Sequence, residues 1–181
     1  MIAKESKLRG CYILEPTINE DRRGYFFESF NQNTFNELIG QNVNFVQDNE
    51  SFSKKGTLRG LHYQKGDFAQ AKLVRAVTGC VLDIIIDIRK DSSTFGQNLS
   101  IELSDFNKKQ LFIPKGFAHG FIVLSDTAII SYKCDNFYNP EFEGGIIYND
   151  KDLNIDWKLN EDELIISEKD LLLPTFNNIK F

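Results

Sequence analysis

Histidine is scarce in this chain, with only His62 and His119 among 181 residues. Chemistry that needs an imidazole near neutral pH must pass through one of them. Cysteine is almost as rare, and Cys11, Cys80 and Cys134 are odd in number and far apart. They suit neither a disulfide framework nor a zinc knuckle; buried reduced thiols in a cytoplasmic protein fit them better. No apolar run approaches the roughly 18 residues of a membrane span. The opening MIAKESKLRGCYILEP has no apolar stretch of the kind a secretory leader carries, so none is expected. Repeats, low-complexity tracts and Pro/Gly/Ser linkers are missing as well, and one domain over residues 1–181 is expected. A basic excess is also lacking. The net charge of −5 speaks against a general binder of nucleic acid or anionic membrane. A local basic pocket remains open, because a small phosphorylated ligand needs roughly two to four well-placed Lys or Arg.

What the chain does have is aromatic and β-branched residues. Sixteen Phe and six Tyr favour strands and aromatic-lined surfaces over a helical bundle. Strand signals recur at 11–14, 24–30, 45–51, 58–64, 72–78, 80–88, 98–103, 110–113, 120–123 and 128–134, with turn-like stretches such as Lys54-Lys55-Gly56 and Pro114-Lys115-Gly116 between them. Short helices are expected at 34–39 and 161–168, although two isoleucines weigh against the second. Closely spaced strands without helical periods between them predict an all-β sandwich or barrel. In the strand at 80–88, alternation puts Asp83, Ile85 and Asp87 on one face and Leu82, Ile84, Ile86 and Ile88 on the other. The apolar face is core. The acidic face meets either water or a polar cavity, and alternation does not choose between them.

The surroundings of the two histidines narrow the chemistry. His62 lies in Arg59-Gly60-Leu61-His62-Tyr63-Gln64, with Lys72 and Arg75 nearby in sequence. His119 lies in Pro114-Lys115-Gly116-Phe117-Ala118-His119-Gly120-Phe121, shortly before Tyr132 and Lys133. The Pro-x-Gly-x-x-His spacing resembles half of the metal signature of cupin barrels. The other half, a close His-x-His pair, is missing, which speaks against a resident metal. A histidine without metal acts as a general acid or base near pH 7, and a tyrosine stays protonated and can return a proton. A lysine or arginine beside a ketone oxygen stabilises an enolate. Base, acid and cation together would move protons next to a carbonyl, but spacing alone does not bring them together.

The motifs resemble the dTDP-4-dehydrorhamnose 3,5-epimerase family over residues 10–170, nearly the whole chain. They are Arg23-Gly24-Tyr25-Phe26-Phe27-Glu28, Gln47-Asp48-Asn49-Glu50-Ser51, the His62 and His119 segments, Gln70-Ala71-Lys72-Leu73-Val74, Tyr132-Lys133-Cys134, Tyr138-Asn139-Pro140 and Ser167-Glu168-Lys169-Asp170. Their joint occurrence in order makes the resemblance specific. It implies a cupin-type jelly roll with a few short helices, no cofactor and no metal. It further implies epimerisation of dTDP-4-keto-6-deoxy-D-glucose at C3 and C5. By the same resemblance His62 is the base, Asp170 its carboxylate partner, Tyr132 the acid, and Lys72 the cation near the C4 oxygen. Arg23, Glu28, Gln47, Asn49, Arg59, His119, Glu143 and Lys169 match positions that bind nucleotide, diphosphate or sugar. Tyr138 matches an aromatic contact to the thymidine end. The family's homodimers exchange N-terminal strands, so Arg23 and Glu28 are expected to serve a partner's site.

The rival readings are a single-centre epimerase acting at C3 or C5, a silent nucleotide-sugar-binding cupin, and a metal-dependent cupin. The first would use the same base and acid. The second has no need of the His62, Tyr132, Lys72 and Asp170 set. One feature of the motif conflicts with a regular strand: alternation puts Arg59 and His62 on opposite faces, although both are expected in one pocket. A bulge or kink at Gly60 is therefore predicted.

Overall fold

The computed structural model describes residues 1–179. Strands dominate it in chain order: β1 (Ile2–Glu5), β2 (Tyr12–Glu15), β3 (Asn19–Asp21), β4 (Gly24–Phe26), β5 (Gln47–Lys54), β6 (Thr57–Gln64) and β7 (Lys72–Thr78). They continue with β8 (Cys80–Asp87), β9 (Asn98–Ser104), β10 (Gln110–Ile113), β11 (Phe117–Val123), β12 (Thr127–Cys134), β13 (Glu143–Gly145) and β14 (Ile165–Ile166). Two α-helices are present among the described residues, α1 (Gln32–Ile39) and α2 (Glu168–Leu171).

The strands form two facing sheets, ordered β1-β2-β10-β7-β12-β5 and β13-β6-β11-β8-β9, with β14 added to β6. Together they make the expected cupin-type jelly-roll sandwich. Both sheets are buried on two sides, so the core has three layers. Between the sheets, Val74, Ile130 and Leu111 of one meet Val81, Ile85 and Phe121 of the other. Outside the first sheet, α1 lays Phe35 and Ile39 on Leu14, Leu73 and Phe112. Outside the second, the C-terminal stretch packs Ile146, Leu153, Trp157 and Ile179 against Leu58, Ile84 and Ile86.

Local chemistry sets the element ends. The Asn31 side chain accepts from the Asn33 and Thr34 amides to start α1, and Gly40, at φ +64°, closes it. The helix expected at 161–168 breaks into a 3₁₀ turn at Glu161–Glu163, strand β14 and the first residue of α2. Ile165 and Ile166 pair in parallel with Thr57 and Leu58 of β6, because β-branched side chains suit a strand beside an open edge. The strand expected at 24–30 is shorter and stands apart, as β4 pairs only with β3 in a two-stranded hairpin. Asn19-Glu20-Asp21 has no apolar residue to announce β3.

The acidic face of β8 turns inward. Asp83 and Asp87 are both fully buried between the sheets. Asp87 is held by the Arg89 guanidinium, at 2.7 and 2.9 Å, and by the hydroxyls of Ser92 and Thr94, each at 2.6 Å. The predicted irregularity in β6 is present too. His62 pairs with His119, but Arg59 pairs with Phe121, so β6 carries one extra residue between them. Gly60 sits there at φ +123°, and a Cβ on it would lie 2.6 Å from Gly120 Cα. Only glycine allows the two backbones to approach so closely in that conformation.

Candidate active site

The extra residue in β6 decides where the chemistry gathers. With the register shifted, Arg59 and His62 both face the space between the sheets and line one cavity of about 490 Å³. Alternation on β7 turns Lys72 the same way as the core residue Val74, and on β12 it does so for Tyr132 and Ile130. His119 enters from β11, and Lys169 and Asp170 come from α2 near the C-terminus. A second lobe of about 320 Å³ shares His62, Lys72 and Tyr132 with the first. Gln47, Asn49, Tyr138 and Glu143 line that lobe.

Asp170 is the fixed point of the first lobe. The Ser167 side chain caps α2, and the Asp170 carboxylate meets His62 Nε2 at 2.7 Å while accepting from the Gly60 amide at 3.3 Å. Burial alone would raise this carboxyl. The His62 hydrogen bond and charge, the Gly60 amide and Ser167 instead bring it below the ordinary aspartate range. A carboxylate only accepts, so Nε2 carries the proton and Nδ1 keeps the lone pair. On the opposite wall, burial pushes the Tyr132 hydroxyl up, opposed by Arg59, so it stays protonated at neutral pH. Burial draws Lys72 down, while Cys134, Asp83 and Glu143 oppose that shift.

The remaining groups form supports around these four. Asp83 takes His119 Nε2 on both carboxylate oxygens, at 3.1 and 2.9 Å, with both residues buried. Arg59 Nε donates to the Ser53 hydroxyl at 3.1 Å. In the second lobe, Tyr138 donates its hydroxyl proton to Glu143 at 2.9 Å, and Lys169 pairs with the same Glu143 oxygen. Burial would raise Glu143, yet Lys169, Tyr138 and His62 hold it below the ordinary range. Gln47 donates to Asn49 at 3.0 Å and accepts from the Tyr138 amide at 3.0 Å. Among the described residues, no three His, Cys, Asp or Glu side chains come together as a metal would require.

The comparison with known proteins turns on the whole of this framework. The family model described as dTDP-4-dehydrorhamnose 3,5-epimerase matches residues 5–178. The chain belongs to the dTDP-4-dehydrorhamnose 3,5-epimerase family. It is accordingly an isomerase. It is 53% identical to the Salmonella typhimurium dTDP-4-dehydrorhamnose 3,5-epimerase, over 89% of this chain and 88% of that one. The crystal structure of the Elizabethkingia anophelis enzyme of that name superposes with a TM-score of 0.95 at 54% identity, covering 99% of this chain and 98% of that one. The dTDP-6-deoxy-D-glucose-3,5-epimerase of Legionella pneumophila, solved in complex with dTDP-4-keto-L-rhamnose, gives 0.94 at 47%, covering 98% and 94%.

For this epimerase family member, eleven of the thirteen expected site residues line the two lobes: His62, Tyr132, Asp170, Lys72, Gln47, Asn49, Arg59, His119, Tyr138, Glu143 and Lys169. Arg23 and Glu28 do not. Arg23 sits in the β3–β4 hairpin with its side chain 86% exposed, paired to Asp21, and lines a different surface depression. Glu28 is exposed and accepts from Asn31 at 3.3 Å. Sequence reasoning left out Ser51, Gln64 and Ser167, which also line the lobes, and left Asp83 without a role. Ser51 Oγ and Gln64 Nε2 are the buried side-chain atoms without a hydrogen-bond partner among the described residues. Both stood inside quoted motifs, but only folding shows that they are buried on a cavity wall.

Proposed function

We propose that the two-lobed cavity epimerises dTDP-4-keto-6-deoxy-D-glucose at C5 and C3, yielding dTDP-4-keto-L-rhamnose. The reading rests above all on the His62–Asp170 contact of 2.7 Å facing a cavity that Lys72 and Tyr132 also line. His62 Nδ1 takes the proton beside the ketone. The electron pair of that C–H bond moves into an enolate whose charge gathers on the C4 oxygen, beside the Lys72 ammonium. Tyr132 returns a proton from the other face, inverting the centre. Exchange with water returns His62 to its neutral form and Tyr132 to its protonated form, and the cycle then repeats at the second carbon. Asp170 keeps the His62 ring in one tautomer and stabilises the imidazolium that forms.

Arg59, His119, Lys169, Gln47, Asn49 and Glu143 hold the sugar and diphosphate, and Tyr138 meets the thymidine end. No cofactor is needed, because the reaction only moves protons, which ionisable side chains accept from the substrate and supply to it. Arg23 and Glu28 act in a second copy's cavity, so the working unit is a homodimer with exchanged N-terminal strands. Three observations support that reading: Arg23 is far out on a hairpin, Tyr25 and Phe26 beside it are 56% and 71% exposed, and β5 ends its sheet. Three free cysteines fit a cytoplasmic setting.

Proton NMR of dTDP-4-keto-6-deoxy-D-glucose incubated with the protein in D2O tests the reaction. Deuterium is expected at both C3 and C5. Label at one carbon only would mean a single-centre epimerase, and label at neither would remove the proposed chemistry.

A further inference from the structure

Asp83 and Asp87 share the inner face of β8, and both are fully buried, yet their surroundings differ. Asp87 is neutralised within its own turn by Arg89 and two hydroxyls. The Asp83 carboxylate makes its hydrogen bonds with His119 alone among the described residues. A buried carboxylate is costly unless charge balances it, and one imidazole N–H is slender compensation. Lys72, which faces the same interior from the opposite sheet, also feels the Asp83 charge. We propose that Asp83 is a positioning residue of the epimerisation, clamping the His119 ring and supplying the negative charge set against Lys72.

The inference rests on the reading of this cavity as the epimerase site. A carboxylate is an acceptor only, so the clamp fixes the proton of His119 on Nε2 and with it the plane of the ring. Lys72 loses solvation through burial, and Cys134, Asp83 and Glu143 are the groups that offset this. The Cys134 thiol is itself pushed up to about 11 by burial, so at neutral pH it is uncharged. That leaves Asp83 and Glu143 as the standing negative charges, and Glu143 is already shared by Lys169 and Tyr138. Asp83 is therefore the anion with charge to spare for Lys72. The arrangement lets an ammonium persist where partial burial strengthens its pull on an enolate oxygen.

Asp83→Asn keeps the shape and removes the charge. Turnover is expected to fall at least about tenfold through kcat, with KM changed less than about threefold. The alkaline limb of the kcat profile should move to lower pH by about one unit, and Lys72→Arg should move that limb up to where Tyr132 loses its proton, because a guanidinium does not titrate there. In a Lys72→Ala background, adding Asp83→Asn should cost less than about threefold, since the two act together. Unchanged kcat with an unmoved limb, or full additivity with Lys72→Ala, overturns the inference while leaving the epimerase reading intact. Loss of deuterium exchange in the unmodified protein would instead remove the epimerase reading itself. Should Asp83→Asn not fold, ¹⁵N NMR of the unmodified protein decides the matter, with the His62→Asn spectrum assigning the two histidines. A His119 Nε2 bearing its proton supports the clamp, and an unprotonated Nε2 at pH 7 overturns it.

Discussion

His62 and Tyr132 stand on different walls of one cavity, and their substitutions separate the two halves of the proposed proton transfer. His62→Ala removes the proposed base. Epimerisation should fall by roughly 10²–10⁴-fold, while calorimetric affinity for dTDP stays within a few-fold, because the nucleotide is held by other groups. Tyr132→Phe deletes one hydroxyl with little change of volume. Inverted product should drop by about 10²-fold or more, whereas deuterium wash-in at C5 persists through His62. Near-normal product from either variant would sink the corresponding role. The identities of these residues were legible through motif resemblance. The proton on His62 Nε2 was not, since it follows from a carboxylate 108 positions away.

At the level of elements, two inner-face features of the second sheet do different work. The extra residue in β6 was deduced from a conflict between alternation and the demand that Arg59 and His62 meet, and Gly60 supplies the backbone freedom it needs. The turn after β8 stabilises rather than reacts. Burial would raise the Asp87 carboxyl, but Arg89, Ser92, Thr94 and the Arg89 amide bring it from 3.8 down to about 2. A value lowered in the folded state stabilises the protein above the unfolded value, and that contribution is lost as pH falls through the folded one. The drop is worth about 2 kcal/mol, present above pH ~4 and gone near pH ~2. Asp87→Asn should therefore lower the unfolding free energy by about that amount at pH 7. Urea denaturation between pH 5 and 2 should also show a flatter pH dependence for the variant.

For the whole molecule, the separation of Arg23 and Glu28 from the cavity has a testable consequence. If a second copy supplies them, Arg23→Ala and His62→Ala should each be nearly inactive alone. Mixed dimers should regain roughly a quarter to a half of activity, because one site then keeps both its own His62 and its partner's intact hairpin. Absence of recovery in mixtures that native mass spectrometry shows to be mixed dimers would confine both residues to their own chain. The strand periods predicted a sandwich, but not its third layer. The C-terminal stretch over the second sheet carries little periodicity, and its packing depends on the shape of the finished sheet.

By itself the sequence determined the strand-rich class and most strand positions, and it named the proposed catalytic set, because period-two alternation and short motifs are local properties. Only the tertiary structure decided which nitrogen of His62 meets Asp170, that the acidic face of β8 is buried, and that Asp83 and Asp87 find different partners. Those outcomes depend on which distant strands face each other, and a side chain's charge balance is set by what folding places opposite it.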